Sequence, residues 1–287
     1  MQMAPIWAAT AAAALTALGA LIPEPGEPTA GASGSAATDP AALGPNADPR
    51  RAACPGGTLP DHGVCIPAPT RALTSLAPLE AERGQHRDRS GSWVSYEQIP
   101  RRPERPADYA AYRYPVPLAK GGGSVVSGYD LHLADSEQRR GAHLGAVGHG
   151  GIDVTQRRGT EVRLLRLEHQ IADADVIYVG ELFGLSVVTR HALREGGQLR
   201  EYLMIHGHLE GPAPGLTQGS SLSDGALLGF VGDSGSPGVV HLHLEVRRVR
   251  EGVKLSTLSG GQLAHASNTV VCDPRNVLPL AADAQSP

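Results

Sequence analysis

From about residue 110 onward, the sequence consists of short apolar or alternating runs separated by glycines, such as GIDV, TEVRLLRL, DVIYVG, EYLMIHGHL and VVHLHLEV. Many such runs at regular spacing, with turn residues between them, are typical of antiparallel strands. No stretch in this region carries the 3.6-residue period of an amphipathic helix. The sequence therefore predicts a mostly β domain, built on an antiparallel sheet, over residues 109–280.

Composition limits what else the chain can be. Its 287 residues suffice for one substantial domain with appendages or for two small domains. Aromatic residues make up only 4% of the chain, whereas there are 36 Gly and 23 Pro, which favours a core of Val, Leu, Ile and Ala with many turns. The net charge is −4. Because no basic stripe interleaved with aromatic residues is present, nucleic acid is not expected as a partner.

The N-terminal part of the chain, residues 1–108, differs in composition from the predicted β domain. Residues 3–22 form an uncharged apolar run about as long as a membrane span, without the preceding Lys or Arg expected of a signal. We expect residues 1–22 to be either a cleaved signal peptide or an uncleaved membrane anchor; the alternative is a disordered Ala-rich tail. Export to the periplasm, the cell envelope or the medium is therefore expected.

Residues 23–108, with few large apolar side chains and one weakly helical run at 71–84, are predicted to be a largely disordered, low-complexity linker.

The three cysteines agree with export. Cys54 and Cys65 bracket a loop rich in Gly, Pro and Asp, and a local disulfide is the favoured use of such a pair. A metal site there would need more ligands, and only His62 is nearby. Cys272 is left over, either as a buried free thiol or as a partner of one of the other two.

Histidines mark two of the predicted strands. In VVHLHLEV, alternation places His241, His243 and Glu245 on one face and the apolar Val240, Leu242, Leu244 and Val246 on the other. In YLMIHGHLE, the same rule places Met204, His206 and His208 on one face, opposite Leu203, Ile205, Gly207 and Leu209. If both strands belong to one sheet, the histidine-bearing faces line a common groove.

A third element, GHGGIDV, places His149 and Asp153 four residues apart with two glycines between them. An imidazole and a carboxylate are natural zinc ligands, and a catalytic zinc needs three protein ligands and an open position. His149, Asp153 and one histidine of the His241/His243 pair would complete that set. Taken singly, each element also fits a solvated strand pair, a turn histidine or a turn-capping aspartate; the ordered co-occurrence favours a site.

The ordered motifs HGGID, HGHLE, GDSG and HLHLEV resemble the lysostaphin/LytM-type zinc endopeptidases over about residues 115–280. The resemblance implies a LytM-type peptidase domain with a substrate groove and one Zn²⁺. It implies His149, Asp153 and His243 as metal ligands and His208 and His241 as catalytic histidines. His206 stands where the family often has Tyr, so a direct role for it is not expected. The chain departs from the family at 236–240, SPGVV, where the usual turn ends Ser-Thr-Gly-Pro.

The implied activity is that of a zinc endopeptidase that hydrolyses peptide cross-links of bacterial peptidoglycan, with zinc-bound water as the nucleophile. His241 would act as the general base, and His208 would orient the water or stabilise the oxyanion. A monomer acting on peptidoglycan peptides is expected. Two alternatives remain open: a non-catalytic LytM-like module that regulates another cell-wall hydrolase, and a structural or adhesive zinc domain. The remaining histidines are predicted to have surface or turn roles: His62, His86, His132, His143, His169, His191 and His265.

Overall fold

The computed structural model describes residues 58–61, 64–67, 75–87, 91–118, 123–131 and 148–281. All of them belong to the unit Asp39–Pro287. The predicted signal or anchor and Cys54 lie outside the described residues, so both predictions stay predictions. Among the described residues, no helix has the length and apolar character needed to cross a membrane.

Strands dominate the described ranges, in which no helix exceeds five residues. This confirms the predicted fold class. The strands are β1 (Thr58–Asp61), β2 (Val64–Pro67), β3 (Glu82–Arg87), β4 (Trp93–Ile99), β5 (Val125–Ser127), β6 (Gly151–Thr155), β7 (Glu161–Arg163), β8 (Ala174–Leu182), β9 (Gly184–Glu195), β10 (Gln198–Gly207), β11 (Leu209–Pro212), β12 (Ser221–Leu222), β13 (Leu227–Val231), β14 (His241–Val249) and β15 (Thr269–Cys272). The 3₁₀ helices are η1 (Tyr109–Ala111), η2 (Leu255–Thr257), η3 (Gly260–Ala264) and η4 (Pro274–Asn276).

The main sheet has the strand order β12-β8-β9-β10-β14-β15-β4-β3. Strand β6 pairs with the first half of β14 and carries β5 on its other edge, whereas β15 pairs with the second half of β14. Neighbours are antiparallel except for the parallel pair β15 and β4. Because β14 is hydrogen-bonded along both edges, its backbone is held in place, and alternation determines the face of the sheet on which each side chain lies.

Strands β3 and β4 come from residues that the sequence assigns to the linker. The weakly helical run at 71–84 contains no helix over its described part: Leu76 and Leu79 insert into the main core, and β3 begins at Glu82. Burial of a large apolar side chain stabilises the fold by about 1.5–3 kcal/mol. The burial of Leu76 and Leu79 therefore outweighs a weak local preference for helix.

The main core lies on one face of the sheet. Leu242, Leu244 and Val246 of β14 are fully buried there, as alternation predicts, and belong to the same apolar cluster as residues of the three-stranded sheet β11-β13-β7. A second cluster covers part of the other face, where Leu203 and Ile205 of β10 pack with residues of η2 and η3. The central strands are therefore buried on both faces, and polar groups on them lie in an apolar setting.

The structure shows whether Cys272 is a free thiol or forms a disulfide. Cys272 is a free, buried thiol at the end of β15. Of the two alternatives for this residue, the free thiol is the one observed. The pairing of Cys54 with Cys65 stays a prediction because Cys54 lies outside the described residues.

Candidate metal centre

The register of β6 against β14 brings His243 and Asp153 together. The two residues are direct cross-strand partners, so their side chains project from the same face of the sheet. His243 Nδ1 lies 2.9 Å from Asp153 Oδ1. A shift of one residue in this pairing would move one of the two side chains to the opposite face.

His149 joins this pair from the residues that enter β6. It forms an isolated bridge with Asp130 just before the strand, and its Nε2 lies 3.1 Å from Asp153 Oδ1 and 3.3 Å from His243 Nδ1. Gly151 is needed for space, because a Cβ there would lie 2.8 Å from His243 Cε1. Gly151 of HGGID thus makes room for the imidazole of the neighbouring strand.

The three donor atoms form a triangle with edges of 2.9, 3.1 and 3.3 Å. Ligands about 2.0–2.1 Å from a tetrahedral zinc are separated from one another by about 3.3 Å. His149, Asp153 and His243 are therefore a group able to hold one metal ion. The set of two imidazoles and one carboxylate matches the donors that zinc prefers, and it leaves a fourth position open.

The two ligand imidazoles differ in the surroundings of their other nitrogen. His149 Nδ1 lies 2.8 Å from Gly128 O and 2.9 Å from Ser127 Oγ, so its proton belongs on Nδ1 and Nε2 is free to bind a metal. His243 shows the opposite arrangement: Nδ1 belongs to the triangle, and Nε2 lies 3.5 Å from Glu245 Oε2.

His208 reaches the cluster through an unusual backbone conformation. Its φ is +58°, which is rare for a residue with a side chain, and the pleat is therefore broken between β10 and β11. Its Nδ1 donates to Ser234 O over 2.7 Å, and its ring centroid lies 4.5 Å from that of His241. Burial lowers the pKa of His208 to about 4, so the ring is neutral at pH 7 and its Nε2 is an acceptor.

His241 lies on the same face of β14, two residues before His243. Its Nδ1 donates to Val239 O over 2.8 Å, and its Nε2 lies 3.8 Å from Asp153 Oδ1. Val239 belongs to SPGVV, the turn that departs from the family pattern. The backbone carbonyl of Val239 orients His241, and any residue at position 239 would supply the same carbonyl.

The charges at the cluster are strongly coupled. Burial raises the pKa of Asp153, but the hydrogen bonds from His149 and His243 outweigh it and hold that pKa well below its usual range. Burial also opposes the charged form of His243, yet Asp153 and Glu245 together raise its pKa to about 9. The ionised Asp153 carboxylate attracts a cation, and a metal that binds His243 has to displace a proton from that ring at pH 7.

The sequence expectation for His206 needs a correction. Alternation holds through Gly207, so His206 pairs with Leu244 and faces the main core, on the side of the sheet opposite His243. Its Nδ1 donates to Val187 O, and among the described residues its Nε2 is buried without a hydrogen-bond partner. His206 and His208 therefore do not share a face, because the left-handed φ of His208 turns only the second histidine into the site.

The prediction of a surface or turn role for His191 is wrong. It is fully buried rather than at the surface or in a turn, and its ring nitrogens bond to Gln170 Oε1 and Thr189 Oγ1. Its alternating neighbours on β9 include buried apolar residues, which is the signal that could have revealed its position. The side chains of His62, His86, His132 and His143 lie outside the described residues.

Sequence reasoning missed two residues that touch the cluster. The Phe183 ring packs against the His243 imidazole with centroids 4.7 Å apart, and Phe183 O accepts from the His208 backbone N over 2.8 Å. Ser127 contacts His149 from β5. Neither belongs to a histidine-bearing motif, so only the tertiary structure places them here.

The fold and this group define a β-sheet protein with a candidate mononuclear metal centre flanked by two further histidines. Among solved structures, the chain is similar to a zinc-containing peptidase from Vibrio cholerae, at 20% identity and a TM-score of 0.32, covering 57% of this chain and 43% of that one. It is also similar to the catalytic domain of the antimicrobial peptidase lysostaphin from Staphylococcus simulans, at 17% identity and a TM-score of 0.30, covering 55% and 96%.

No protein-family model matches the chain, and no curated protein matches it. The chain spans less than half the length of the Vibrio cholerae peptidase. At these identities and TM-scores, function is inferred from the geometry of the site itself.

Proposed function

We propose that this protein is an exported zinc endopeptidase that hydrolyses peptide cross-links of peptidoglycan. The observation that carries the proposal is the triangle of His149 Nε2, Asp153 Oδ1 and His243 Nδ1, with edges close to those of tetrahedral zinc, beside two non-ligand histidines. Peptidoglycan as the substrate follows from the resemblance of the motifs to the lysostaphin/LytM-type enzymes.

When bound, zinc supplies a Lewis acid that activates water and polarises the scissile carbonyl. His241 and His208 each donate a hydrogen bond from Nδ1 to a backbone carbonyl, which leaves the Nε2 atoms of the neutral rings as acceptors. His241, nearer to Asp153, takes the proton of the attacking water as general base. His241 then gives this proton to the leaving amine, and His208, whose Nε2 is an acceptor, orients the attacking water.

The partial exposure of Asp153 and His208 supports access to a substrate. Both side chains are only partly buried, whereas His149, His241 and His243 are buried. The cluster therefore opens on the side of Asp153 and His208. An open side is expected of a catalytic metal, since a structural zinc is enclosed by four protein ligands.

The experiment is a peptidoglycan digest with wild type and His241→Ala, with zinc measured on the same samples. We expect the variant to keep its zinc, because His241 is outside the triangle, and to release fragments at least about 100-fold more slowly. His149→Ala and Asp153→Ala should lose most of the zinc. His265→Ala, at an exposed position bonded only locally to Ser267, is the matched control.

Each outcome separates the alternatives. Equal fragment release by wild type and His241→Ala would contradict the enzyme proposal. A wild type that binds zinc but releases no fragments would favour the regulatory module or the structural zinc domain. Undiminished zinc in Asp153→Ala would mean that the ligand set is wrong.

A further inference from the structure

A row of buried polar side chains runs along β14 behind the metal cluster. His243, Glu245 and Arg247 alternate on one face and are 6%, 3% and 9% exposed. Glu245 Oε1 accepts from Arg247 Nη1, and Arg247 Nε donates to Thr269 Oγ1 over 2.7 Å. A buried ion pair is weak evidence for a stabilising role, because removing two charges from water offsets most of their attraction.

The carboxylate of Glu245 meets the metal-ligand candidate His243 on the ring nitrogen that is not in the triangle. His243 Nδ1 must be unprotonated to bind a metal, so the proton of the neutral ring has to be on Nε2. That Nε2 is buried and makes no hydrogen bond to the described residues, and Glu245 Oε2 lies 3.5 Å from it, so a small shift of the side chain would form the bond. A carboxylate in this place selects the correct tautomer and restrains the rotation of the ring.

The neighbouring strand makes room for this arrangement. A Cβ on Gly150 would lie 3.1 Å from Glu245 Oε2, and one on Gly151 would lie 2.8 Å from His243 Cε1. The two glycines between His149 and Asp153 therefore clear space for the carboxylate and for the ring it contacts. The far end of the row is also anchored, since Thr269 Oγ1 donates to Leu263 O of η3 over 2.8 Å.

We propose that Glu245 is a positioning residue that orients His243 toward the metal, with Arg247 and Thr269 holding the carboxylate in place. The inference rests on the proposed metal centre and deepens it. Glu245 acts through His243 and does not touch the reacting atoms. Its loss should weaken metal binding at a site whose ligands are all still present.

The test is the zinc affinity of Glu245→Gln, measured by competition with a chromogenic chelator. We expect the dissociation constant to rise about 10–100-fold, the usual effect of losing an outer partner of a metal ligand. Glu195→Gln is the matched control. Glu195 is 5% exposed and accepts from Arg248 Nη1 over 2.9 Å, so it is another buried carboxylate paired with an arginine. Within the described part of the chain, no hydrogen bond or ion pair joins it to the three ligands.

A second variant separates positioning from charge. Glu245→Gln leaves the Arg247 cation unbalanced near the zinc, which by itself would weaken binding. The double variant Glu245→Gln/Arg247→Met removes both charges and is expected to fold, because apolar or neutral replacements of a buried ion pair are often tolerated. Its zinc affinity should stay reduced by about the same factor, since the carboxylate is still missing.

Two further readouts distinguish positioning from a purely structural role. Urea unfolding of the metal-free variants reports stability, and the visible absorption of the cobalt(II)-substituted proteins reports ligand geometry. We expect an altered cobalt spectrum for Glu245→Gln and a wild-type spectrum for Glu195→Gln. Equal zinc affinities in these two variants, or full recovery in the double variant, would overturn the inference. A wild type that binds no zinc would instead overturn the proposed metal centre.

Discussion

Two histidines only two positions apart, His206 and His208, lie in opposite environments. His206 follows the alternation of β10 into the main core, whereas His208 has a φ of +58° and reaches the candidate metal centre. The difference arises from a single residue whose backbone leaves the strand region. Their substitutions should therefore have different effects.

We predict that His206→Met leaves both the zinc content and the cleavage rate unchanged. The substitution removes a buried Nε2 that, among the described residues, has no hydrogen-bond partner, and methionine adapts to irregular core space. The loss of the bond to Val187 O offsets this gain, so the free energy of unfolding should change by no more than about 1 kcal/mol. Zinc analysis and urea unfolding check the prediction, and a substantial loss of zinc would contradict it.

At the scale of elements, the turn that follows β13 determines where His208 points. Ser234 accepts the His208 Nδ1 proton through its backbone O and the Leu185 backbone N–H through Oγ. Gly184 lies against this turn with a φ of +56°, and a Cβ there would lie 1.9 Å from Ser234 O. The contact between the start of β9 and the turn therefore depends on glycine.

We predict that Gly184→Ala destabilises the protein by about 2–5 kcal/mol and displaces Ser234, so that cleavage falls while zinc is retained. The cost combines about 1–2 kcal/mol for a left-handed alanine with the cost of an overpacked contact. Gly252→Ala is the matched control: its φ is +77°, but a Cβ there would meet no atom within 4 Å. Thermal unfolding of the two variants checks this, and equal destabilisation would mean that the contact with Ser234 carries no cost.

At the scale of the whole molecule, the double burial of the main sheet places titratable groups in an apolar interior. Burial lowers the pKa of His191 to about 3 and that of His206 to about 4. Unfolded histidines have a pKa near 6.5. Between about pH 6.5 and these lower values, the unfolded chain therefore binds protons that the folded chain does not, and acid favours unfolding.

We predict that metal-free wild type loses stability as the pH falls below about 6.5, and that His191→Gln loses less. A single group of this kind contributes a slope of about 1.4 kcal/mol per pH unit between the two pKa values. The variant is expected to be less stable than wild type at pH 7.5, because it loses the bonds to Gln170 and Thr189. The difference should shrink between pH 6 and pH 4 in urea unfolding curves; a constant difference across that range would argue against the buried, neutral His191.

The local sequence pattern was sufficient to predict the class of fold and the apolar face of β14. Strand alternation and turn residues can be recognised within a few positions of the chain, so neither prediction needed contacts between distant segments. The local pattern also indicated His149, Asp153 and one histidine of the His241/His243 pair as ligands, whereas the roles of His208, His241 and His243 came from the family resemblance. The tertiary structure brings these side chains together. What the local pattern could not supply were contacts between distant segments. Strand β4 pairs with β15, and β3 pairs with β4, so the position of both strands depends on a segment far along the chain.

The sequence by itself determined which residue types are available for metal binding and that two of them, His241 and His243, share one face of a strand. Only the tertiary structure determined that His243 lies in the metal triangle and that His241 lies beside it. The register of β14 against β6 sets His243 beside Asp153, and the left-handed φ of His208 brings its ring to His241. The row behind them, from Glu245 to Thr269, is likewise a product of packing. The physical reason is that strand alternation is a local property, whereas register and burial depend on the whole sheet.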